Sequence, residues 1–192
     1  MKLVFATHNN NKFEELKQIL KDKVTLLNLN DLCIFEEIEE TGLSLKENAL
    51  IKAKFVKDQC GLNVFADDTG LEIDALDGAP GVISARFAGE DKNACKNMEK
   101  VLKLLENQTN RQARFKTIIA LIFNGNNYFF EGAVEGTILG YPVGEKGFGY
   151  DPIFMPEGYN ISFAQMSSEV KNSLSHRGKA VEKLMNFLNN KQ

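Results

Sequence analysis

The chain is poor in the side chains that bind soft metals or form disulfides. Its 192 residues include two histidines, three cysteines and no tryptophan. The cysteines, Cys33, Cys60 and Cys95, are odd in number and lack CxxC spacing, which argues against a disulfide framework and a zinc knuckle. Two histidines are also too few for a histidine-rich catalytic zinc site. Any metal ion in this protein is therefore expected to bind oxygen ligands.

Long hydrophobic runs are absent as well. The longest, Ile118 to Phe123, is too short to cross a bilayer, and the chain opens on a strand pattern, so we expect no membrane segment and no secretory leader. The net charge of -3 gives no general attraction to nucleic acid. We therefore expect a cytoplasmic protein, one domain over residues 1–192, that binds neither a nucleic-acid polymer nor a membrane.

The usual motifs of nucleotide binding and nucleophilic catalysis are missing too. The sequence contains no GxxxxGK[ST] loop and no GxGxxG fingerprint, so the common phosphate cradles are excluded. It has no GxSxG elbow, and Ser175 next to His176 in the sequence does not by itself indicate a hydrogen bond between them. A binding or catalytic site must be sought in other polar segments.

The order of apolar patterns predicts an α/β protein. A strand over Lys2–Ala6 precedes apolar residues at helical spacing from Phe13 onwards. Ser44 followed by Glu47 predicts the capping box of a long helix. Residues 113–134 predict a long hairpin, with the turn at Gly125-Asn126-Asn127. Farther along, Asp91 is expected to cap one helix, and a terminal helix is expected over 181–188.

The polar loop after the first strand is the first candidate binding site. It reads Thr7-His8-Asn9-Asn10-Asn11-Lys12 and offers a hydroxyl, amides and an ammonium at the start of a helix. The helix dipole and free backbone NH groups favour an anion there, and phosphate oxygens suit each of these side chains. The alternative is a polar turn in which an asparagine caps the helix.

Two adjacent carboxylates follow the apolar run at 62–66. Asp67 and Asp68 precede Thr69 and Gly70, so we expect a strand to end there and to present both acids. Neighbouring carboxylates repel each other unless a cation, a proton or hydrogen bonds compensate, which is typical of a hard-metal site. The alternative is a turn in which the aspartates cap the next segment.

A second acidic pair and a late basic set could complete such a site. Glu39 and Glu40 lie in an acidic stretch, and magnesium needs only one or two carboxylates besides water and phosphate oxygens. Lys171, His176 and Arg177 come just before the expected terminal helix, where cations are slightly unfavourable. That mismatch favours an anionic ligand for the basic set over a purely structural role.

The glycine-rich segment 136–152 ends on Phe148-Gly149-Tyr150-Asp151. An aromatic ring here could stack on a nucleobase, and Asp151 could accept hydrogen bonds from ring NH groups. A structural aromatic packed over a glycine turn is the alternative.

Taken together, these segments resemble a known family. Blocks running from end to end of the chain resemble the non-canonical purine nucleoside triphosphate pyrophosphatases, also called the inosine/xanthosine triphosphate pyrophosphatase family: Thr7-His8-Asn9-Asn10-Asn11-Lys12, Glu39-Glu40-Thr41-Gly42, Glu47-Asn48-Ala49, Ala66-Asp67-Asp68-Thr69-Gly70-Leu71, Gly78-Ala79-Pro80-Gly81, Ser84-Ala85-Arg86, Gly147-Phe148-Gly149-Tyr150-Asp151-Pro152 and Ser175-His176-Arg177-Gly178. Each block alone is weak, but the series in this order is specific.

The resemblance implies a fold, an activity and an assembly. It implies an elongated mixed β-sheet flanked by helices, in two lobes with a central active-site cleft. It implies a house-cleaning hydrolase that uses one or more Mg²⁺ ions to cut ITP, dITP and XTP into the monophosphate and pyrophosphate. A homodimer is the implied assembly.

The resemblance also implies residue roles. Asp68 corresponds to the general base and a metal ligand, and Glu39 or its neighbour Glu40 to the other metal carboxylate. Substrate contacts are implied for Thr7, His8, Asn9, Asn10, Asn11, Lys12, Thr69, Phe148, Gly149, Tyr150, Asp151, Lys171, His176 and Arg177, with Lys52 and Arg86 as weaker candidates. The chain departs from the family at His8, where many members have glycine, and at Thr69, where serine is frequent.

Two other functions fit parts of the sequence. A pyrophosphatase of the related Maf-like group would act on modified or pyrimidine triphosphates. A catalytically silent nucleotide-binding module would keep the site without turnover, although the Asp67-Asp68 pair and Lys12 argue against it.

Overall fold

The computed structural model describes residues 2–20 and 24–191. Contacts between residues divide the chain into two compact units. Unit 1 contains the described residues of Met1–Asp68, Thr117–Gly132 and Arg177–Gln192, and unit 2 contains Thr69–Lys116 and Ala133–His176. The chain therefore passes from one unit to the other several times.

Strands and helices alternate in the first part of the chain and strands dominate its middle. The strands are β1 (Lys2–Phe5), β2 (Thr25–Leu27), β3 (Val64–Ile73), β4 (Pro80–Gly81), β5 (Gln112–Phe123), β6 (Asn126–Ile138) and β7 (Phe154–Pro156). The helices are α1 (Asn10–Leu20), α2 (Leu45–Cys60), α3 (Ala94–Leu104), α4 (Ser168–Leu174) and α5 (His176–Asn189).

The strands of the described residues form one mixed sheet. Its hydrogen-bonded order is β2-β1-β3-β5-β6-β7, and β4 pairs with β3. Strand β1 is parallel to β2 and to β3, with Phe5 opposite Phe65, whereas β4 on β3 and β7 on β6 are antiparallel. The predicted α/β class with a mixed sheet is confirmed.

In unit 1, strand residues alternate between two apolar clusters. Leu3 and Phe5 of β1 pack with residues of α1 and α5, while Val4 and the following Ala6 pack with residues of α2. Strands β3 and β5 alternate in the same way. Since successive strand side chains point to opposite faces, helices cover both faces of this part of the sheet.

Unit 2 has a separate core that is rich in aromatic rings. Phe115 of β5 contacts Phe154 of β7 at a ring-centroid distance of 4.6 Å and Phe163 at 6.1 Å. Val101 of α3 and Leu71 of β3 are buried in the same cluster. This core holds the ends of β3 and β5 that lie in unit 2.

Several predicted elements are confirmed. The long helix α2 begins after Ser44, whose side chain accepts a hydrogen bond from the Glu47 backbone NH (3.2 Å). The hairpin β5–β6 forms, but its corner is Asn124-Gly125, where both residues have positive φ, rather than the predicted 125–127. Two consecutive positive φ angles are the geometry of a tight primed hairpin turn.

Other boundaries were predicted wrongly. Strand β3 does not end at Ala66 but continues through Asp67 and Asp68 to Ile73. The cap of α3 is Asn93, which accepts from the Lys96 backbone NH (3.1 Å), and not Asp91, whose carboxylate pairs with the Lys96 ammonium.

The terminal helix starts earlier than expected, and one strand was missed. Helix α5 begins at His176 and therefore includes Arg177, which the sequence placed before the helix. Strand β7 follows the glycine-rich segment and pairs with β6. Within the described residues, no helix has the length and apolarity needed to span a membrane.

Ser84 should be important for the stability of unit 2. Its hydroxyl accepts from the buried backbone NH of Leu71 (2.9 Å) and donates to the carbonyl of Gly81 (2.6 Å). Because Ser84→Ala leaves the Leu71 NH unpaired, we expect it to lower the free energy of unfolding by about 1–3 kcal/mol, measured by urea titration. The control is Ser173→Ala, which removes an exposed hydroxyl. Equal losses in the two variants would contradict this role.

Candidate active site

The two neighbouring aspartates lie on opposite faces of the sheet. Asp67 lies two residues after Phe65, which packs on the α1 and α5 side, and Asp68 lies two residues after Ala66, which packs on the α2 side. Both carboxylates are buried. The expectation that they jointly present acid at a strand end is therefore wrong, because an uninterrupted strand separates adjacent side chains.

Asp67 is the centre of a buried ion network. Its Oδ1 accepts from the Lys12 ammonium of α1 (3.0 Å), and its Oδ2 accepts from Nε of Arg177 in α5 (3.2 Å). The Arg177 guanidinium also pairs with Glu15 of α1. Arg177 is 2% exposed. Asp67 thus links two helices to the sheet and compensates two cations.

The network shifts the pKa of its members in the directions expected from burial and charge. Burial would raise the pKa of Asp67, but Lys12 and Arg177 outweigh it and hold the pKa well below its usual range. Burial lowers the pKa of Lys12, against the attraction of Asp67. Asp67 is therefore ionised at neutral pH, in keeping with an electrostatic anchor and not with a proton carrier.

On the other face, Lys52 of α2 joins two carboxylates. Its ammonium donates to Glu40 (2.5 Å) and to Oδ1 of Asp68 (3.2 Å). Burial raises the pKa of Asp68, opposed by the positive charge of Lys52. Oδ2 of Asp68 is buried and has no hydrogen-bond partner among the described residues. This oxygen is available to a ligand that enters the site.

The two carboxylates fit a hard divalent ion that keeps most of its own water. Within residues 2–20 and 24–191, no group of three histidine, cysteine, aspartate or glutamate side chains has a metal-binding arrangement. Mg²⁺ commonly takes one or two protein carboxylates and completes its shell with water and phosphate oxygens. The unpartnered oxygen of Asp68 and the adjacent Glu40 suit that pattern.

Of the two neighbouring glutamates, Glu40 is the one next to Asp68. Glu40 is half-buried and shares the Lys52 ammonium with Asp68, whereas Glu39 is exposed. The family resemblance implied Glu39, or its neighbour Glu40, as the second metal ligand. The geometry favours Glu40, and a metal role for Glu39 stays a prediction.

The loop predicted to bind phosphate is mostly exposed. Asn9 precedes α1, and its Oδ1 accepts from the Lys12 backbone NH (3.1 Å), which is the capping geometry considered from the sequence. The Thr7 hydroxyl accepts from the Asn9 NH (3.1 Å). Asn10 and Asn11 are exposed in the first helical turn. The NH groups and amides at this helix start therefore remain suited to an anion.

His8 is accommodated without strain. Its Nε2 donates to the backbone carbonyl of Glu36 (2.9 Å), and its backbone does not have a positive φ. The loop thus tolerates histidine at this position and is tied to the acidic segment that leads to Glu40.

In unit 2, the Phe148–Asp151 segment is held by its own carboxylate. Oδ2 of Asp151 accepts from the Phe148 backbone NH (2.8 Å) and from the Lys171 ammonium (2.6 Å). The Lys171 ammonium lies 4.9 Å from the centroid of the Phe148 ring. Asp151 and Lys171 are buried, while Phe148 and Gly149 are half-buried. One face of a partly accessible aromatic ring is therefore backed by a cation.

Two other predicted substrate residues of unit 2 are integrated into its core. The Tyr150 hydroxyl donates to the Ser84 carbonyl (2.8 Å), and burial raises the pKa of Tyr150. The His176 ring stacks on Phe115 at a centroid distance of 4.7 Å. Thr69 is half-buried in the middle of β3. Their substrate contacts stay predictions.

Sequence reasoning missed Glu15 and gave too little weight to Lys52. Glu15 follows Lys12 at a helical spacing of three, which places both on one face of α1, and this spacing was the available signal. Lys52 lies on the same face of α2 as Ala49, Ala53 and Val56. A lysine within this apolar face needs a charged partner, and that pattern could have indicated its role in the candidate site.

Asp67 should be essential for stability. Asp67→Asn removes the carboxylate that pairs with the half-buried Lys12 and the buried Arg177, so we expect a loss of about 3–5 kcal/mol in the free energy of unfolding. Urea titration at neutral pH measures it. Asp91→Asn, which breaks the exposed Asp91–Lys96 pair, is the matched control and should change little. Similar small losses for both variants would show that the network is not a stabilising anchor.

Comparisons with known proteins identify the family of the chain. The Ham1 family profile matches residues 3–187. A dITP/XTP pyrophosphatase of Flavobacterium johnsoniae is 50% identical over 188 residues, which cover 98% of each chain. One from Christiangramia forsetii is 53% identical over 188 residues, covering 98% of this chain and 99% of that protein.

Solved structures show the same fold. The Staphylococcus aureus Ham1 protein superposes with a TM-score of 0.90, at 37% identity and full coverage of both chains. A HAM1 protein from Coxiella burnetii gives a TM-score of 0.90 at 38% identity, with 99% of each chain covered. The resemblance inferred from the ordered motifs is confirmed, and the Maf-like alternative is not favoured. Matched over nearly its whole length by the family profile and by relatives of similar size, the chain belongs to the Ham1 family.

Proposed function

We propose that this protein hydrolyses non-canonical purine nucleoside triphosphates, namely ITP, dITP and XTP, to the monophosphate and pyrophosphate. The names of its relatives, dITP/XTP pyrophosphatases at 50% and 53% identity, support this activity. Such a reaction removes abnormal purines from the nucleotide pool.

One observation carries the proposal. Asp68 is a buried carboxylate with one oxygen on Lys52 and the other without a partner in the described chain. A buried acid left half satisfied is unfavourable for stability, and such groups are concentrated at functional sites. The free oxygen can accept a hydrogen bond from a water molecule or bind a cation.

Asp68 and Glu40 are the residues that would hold Mg²⁺. When bound, the ion would neutralise phosphate charge and stabilise the departing pyrophosphate. Glu39 is the alternative partner in the acidic segment.

The chain's own part in the reaction is to orient the attacking water and neutralise the substrate. Asp68 holds a water by its free oxygen and accepts a proton from it as the water oxygen bonds to the α phosphorus. The bond from that phosphorus to the oxygen bridging to the β phosphate breaks, and pyrophosphate leaves with the electron pair. The monophosphate keeps the new oxygen.

Unit 1 supplies the groups that suit the triphosphate. Lys12 presents a half-buried ammonium group and Lys52 a buried one, and the Thr7–Asn11 loop offers amides and backbone NH groups at a helix start. Arg177 already pairs with Asp67 and Glu15, so we propose that it supports the site by fixing Asp67 and contributes positive potential.

The Phe148–Asp151 segment and the residues in contact with it suit the base. The Phe148 ring would stack on the purine with its accessible face, and the Lys171 ammonium lies over the ring. Hypoxanthine accepts hydrogen bonds at its C6 oxygen, whereas adenine donates from its C6 amine, so Asp151, His176 and Arg177 are the proposed readers of that edge. Gly149 and Tyr150 shape the segment, and Thr69 is proposed as a substrate hydroxyl.

The remaining expectations come from the family resemblance. We propose a homodimer located in the cytoplasm, acting on a small-molecule nucleotide and not on a nucleic-acid polymer. Size-exclusion chromatography with light scattering measures the oligomeric state directly.

Substrate preference is the main test. We expect catalytic efficiency for ITP and XTP to exceed that for ATP by roughly 10⁴ to 10⁵, because a site that reads polar base edges leaves groups unpaired with the wrong base. Pyrophosphate release measured over a panel that includes UTP gives the ratios. Chelation of divalent ions should abolish release. Equal catalytic efficiencies for ITP and ATP would contradict the proposed base specificity. If no nucleotide yielded pyrophosphate, the protein would instead be a catalytically silent nucleotide-binding module.

Asp68 should be required for turnover more than for binding. For Asp68→Asn we expect kcat for ITP to fall roughly a hundredfold to a thousandfold with a smaller change in KM, since the amide cannot accept the proton. The control, Asp58→Asn, changes an exposed residue of α2 and should keep wild-type kcat. A fully active Asp68→Asn enzyme would refute the assignment.

A further inference from the structure

The segment that follows Glu40 is fastened to the first turns of α2. The backbone NH of Gly42 donates to Oδ1 of Asn48 (2.7 Å). The next NH, that of Leu43, donates to Oε2 of Glu47 (2.7 Å). Two successive backbone groups are therefore held by side chains of one helix, which fixes the course of the chain just after Glu40.

Asn48 and Lys52 act on this segment from the same face of α2. They are four residues apart, so their side chains are neighbours on the helix. Lys52 contacts the Glu40 carboxylate itself, and Asn48 contacts the backbone two residues farther on. The helix thus has two points of attachment to one short stretch that carries a proposed metal ligand.

Packing does not explain why an amide occupies position 48. Asn48 is fully buried, and its Nδ2 has no hydrogen-bond partner among the described residues. A buried donor without a partner is unfavourable, and a leucine of similar shape would avoid it. What the amide provides is the acceptor oxygen used by Gly42.

Gly42 is shaped to receive that oxygen. A Cβ at this position would lie 2.7 Å from Oδ1 of Asn48 and 2.7 Å from Cβ of Glu47. The hydrogen bond therefore needs both the amide and the absence of a side chain opposite it.

We propose that Asn48 is a positioning residue of the metal site, which holds the Gly42 backbone so that Glu40 is presented together with Asp68. The inference rests on the proposed function, in which these two carboxylates bind the divalent ion. Asn48 acts through the loop and touches neither substrate nor metal. Residues that orient metal ligands in this way typically change metal affinity 10–100-fold when they are replaced.

The test compares the wild-type protein with its variants for binding of Mn²⁺ alone, without nucleotide. The electron paramagnetic resonance signal of the free ion measures the binding. For Asn48→Leu we expect affinity to fall roughly 10–100-fold. The urea midpoint of the metal-free protein should not fall, because the unpaired donor is removed and the half-buried Gly42 NH can be hydrated once the loop is released. Gly42→Ala should weaken Mn²⁺ binding to a similar extent.

The double variant and a matched control complete the experiment. Asn48→Leu and Gly42→Ala should both remove the hydrogen bond between Gly42 and Asn48. The double variant should therefore bind Mn²⁺ no more weakly than the single variant with the lower affinity. Asn97 is the control: in α3 of unit 2 it is also buried, and it accepts from the Ala88 NH (2.6 Å) and donates to the Ala85 carbonyl (2.8 Å). Asn97→Leu should lower the urea midpoint and leave Mn²⁺ affinity unchanged.

The outcomes separate this inference from the proposed function. The role of Asn48 would be overturned if Asn48→Leu bound Mn²⁺ with wild-type affinity, or if the losses of affinity were additive in the double variant. It would also be overturned if Asn48→Leu and Asn97→Leu both lost Mn²⁺ affinity in proportion to their loss of stability. ITP hydrolysis by the wild-type protein would stand in each case. A wild-type protein that binds no Mn²⁺ and releases no pyrophosphate would overturn the proposed function and this inference with it.

Discussion

The alternation of side chains along β3 is the constraint on which the site depends. An extended strand cannot place two consecutive residues on one face, so Asp67 and Asp68 enter different environments although they are adjacent. Asp67 meets α1 and α5, which bring Lys12 and Arg177. Asp68 meets α2, which brings Lys52. One dipeptide thus supplies an electrostatic anchor to one side and the proposed reactive carboxylate to the other.

The two carboxylates differ because their compensation differs. Lys12 and Arg177 lower the pKa of Asp67, whereas burial raises the pKa of Asp68, one oxygen of which has no hydrogen-bond partner within residues 2–20 and 24–191. Opposite pKa shifts in neighbouring acids are a common basis for dividing roles within a site. Under the proposed function, stability and chemistry fall to separate residues: Asp67 holds its helices, and Asp68 is left to bind and react.

The sequence predicted those features that depend on local spacing. Ser44 as the cap of α2 and the β5–β6 hairpin were readable because their determinants lie within a few residues. The pairing of Asp67 with Arg177 was not, because it joins residues 110 positions apart through the tertiary fold. The cap of α3 was misplaced because Asp91 and Asn93 are both good capping residues, and only the helix start decides between them. For the candidate site, the ordered motifs were enough to predict the family, whereas the proximity of Glu40 rather than Glu39 to Asp68 required three-dimensional contacts.

The tight segment around Gly147 constrains the proposed base-binding site. Gly147 has φ +75°, and a Cβ there would lie 2.1 Å from Oδ2 of Asp151, the oxygen that also holds Lys171 and the Phe148 backbone. Any side chain at 147 would displace the carboxylate on which the whole turn depends. If the Phe148 ring stacks on the base as proposed, a change of base preference is expected at position 148, where size and polarity can change while the turn stays intact.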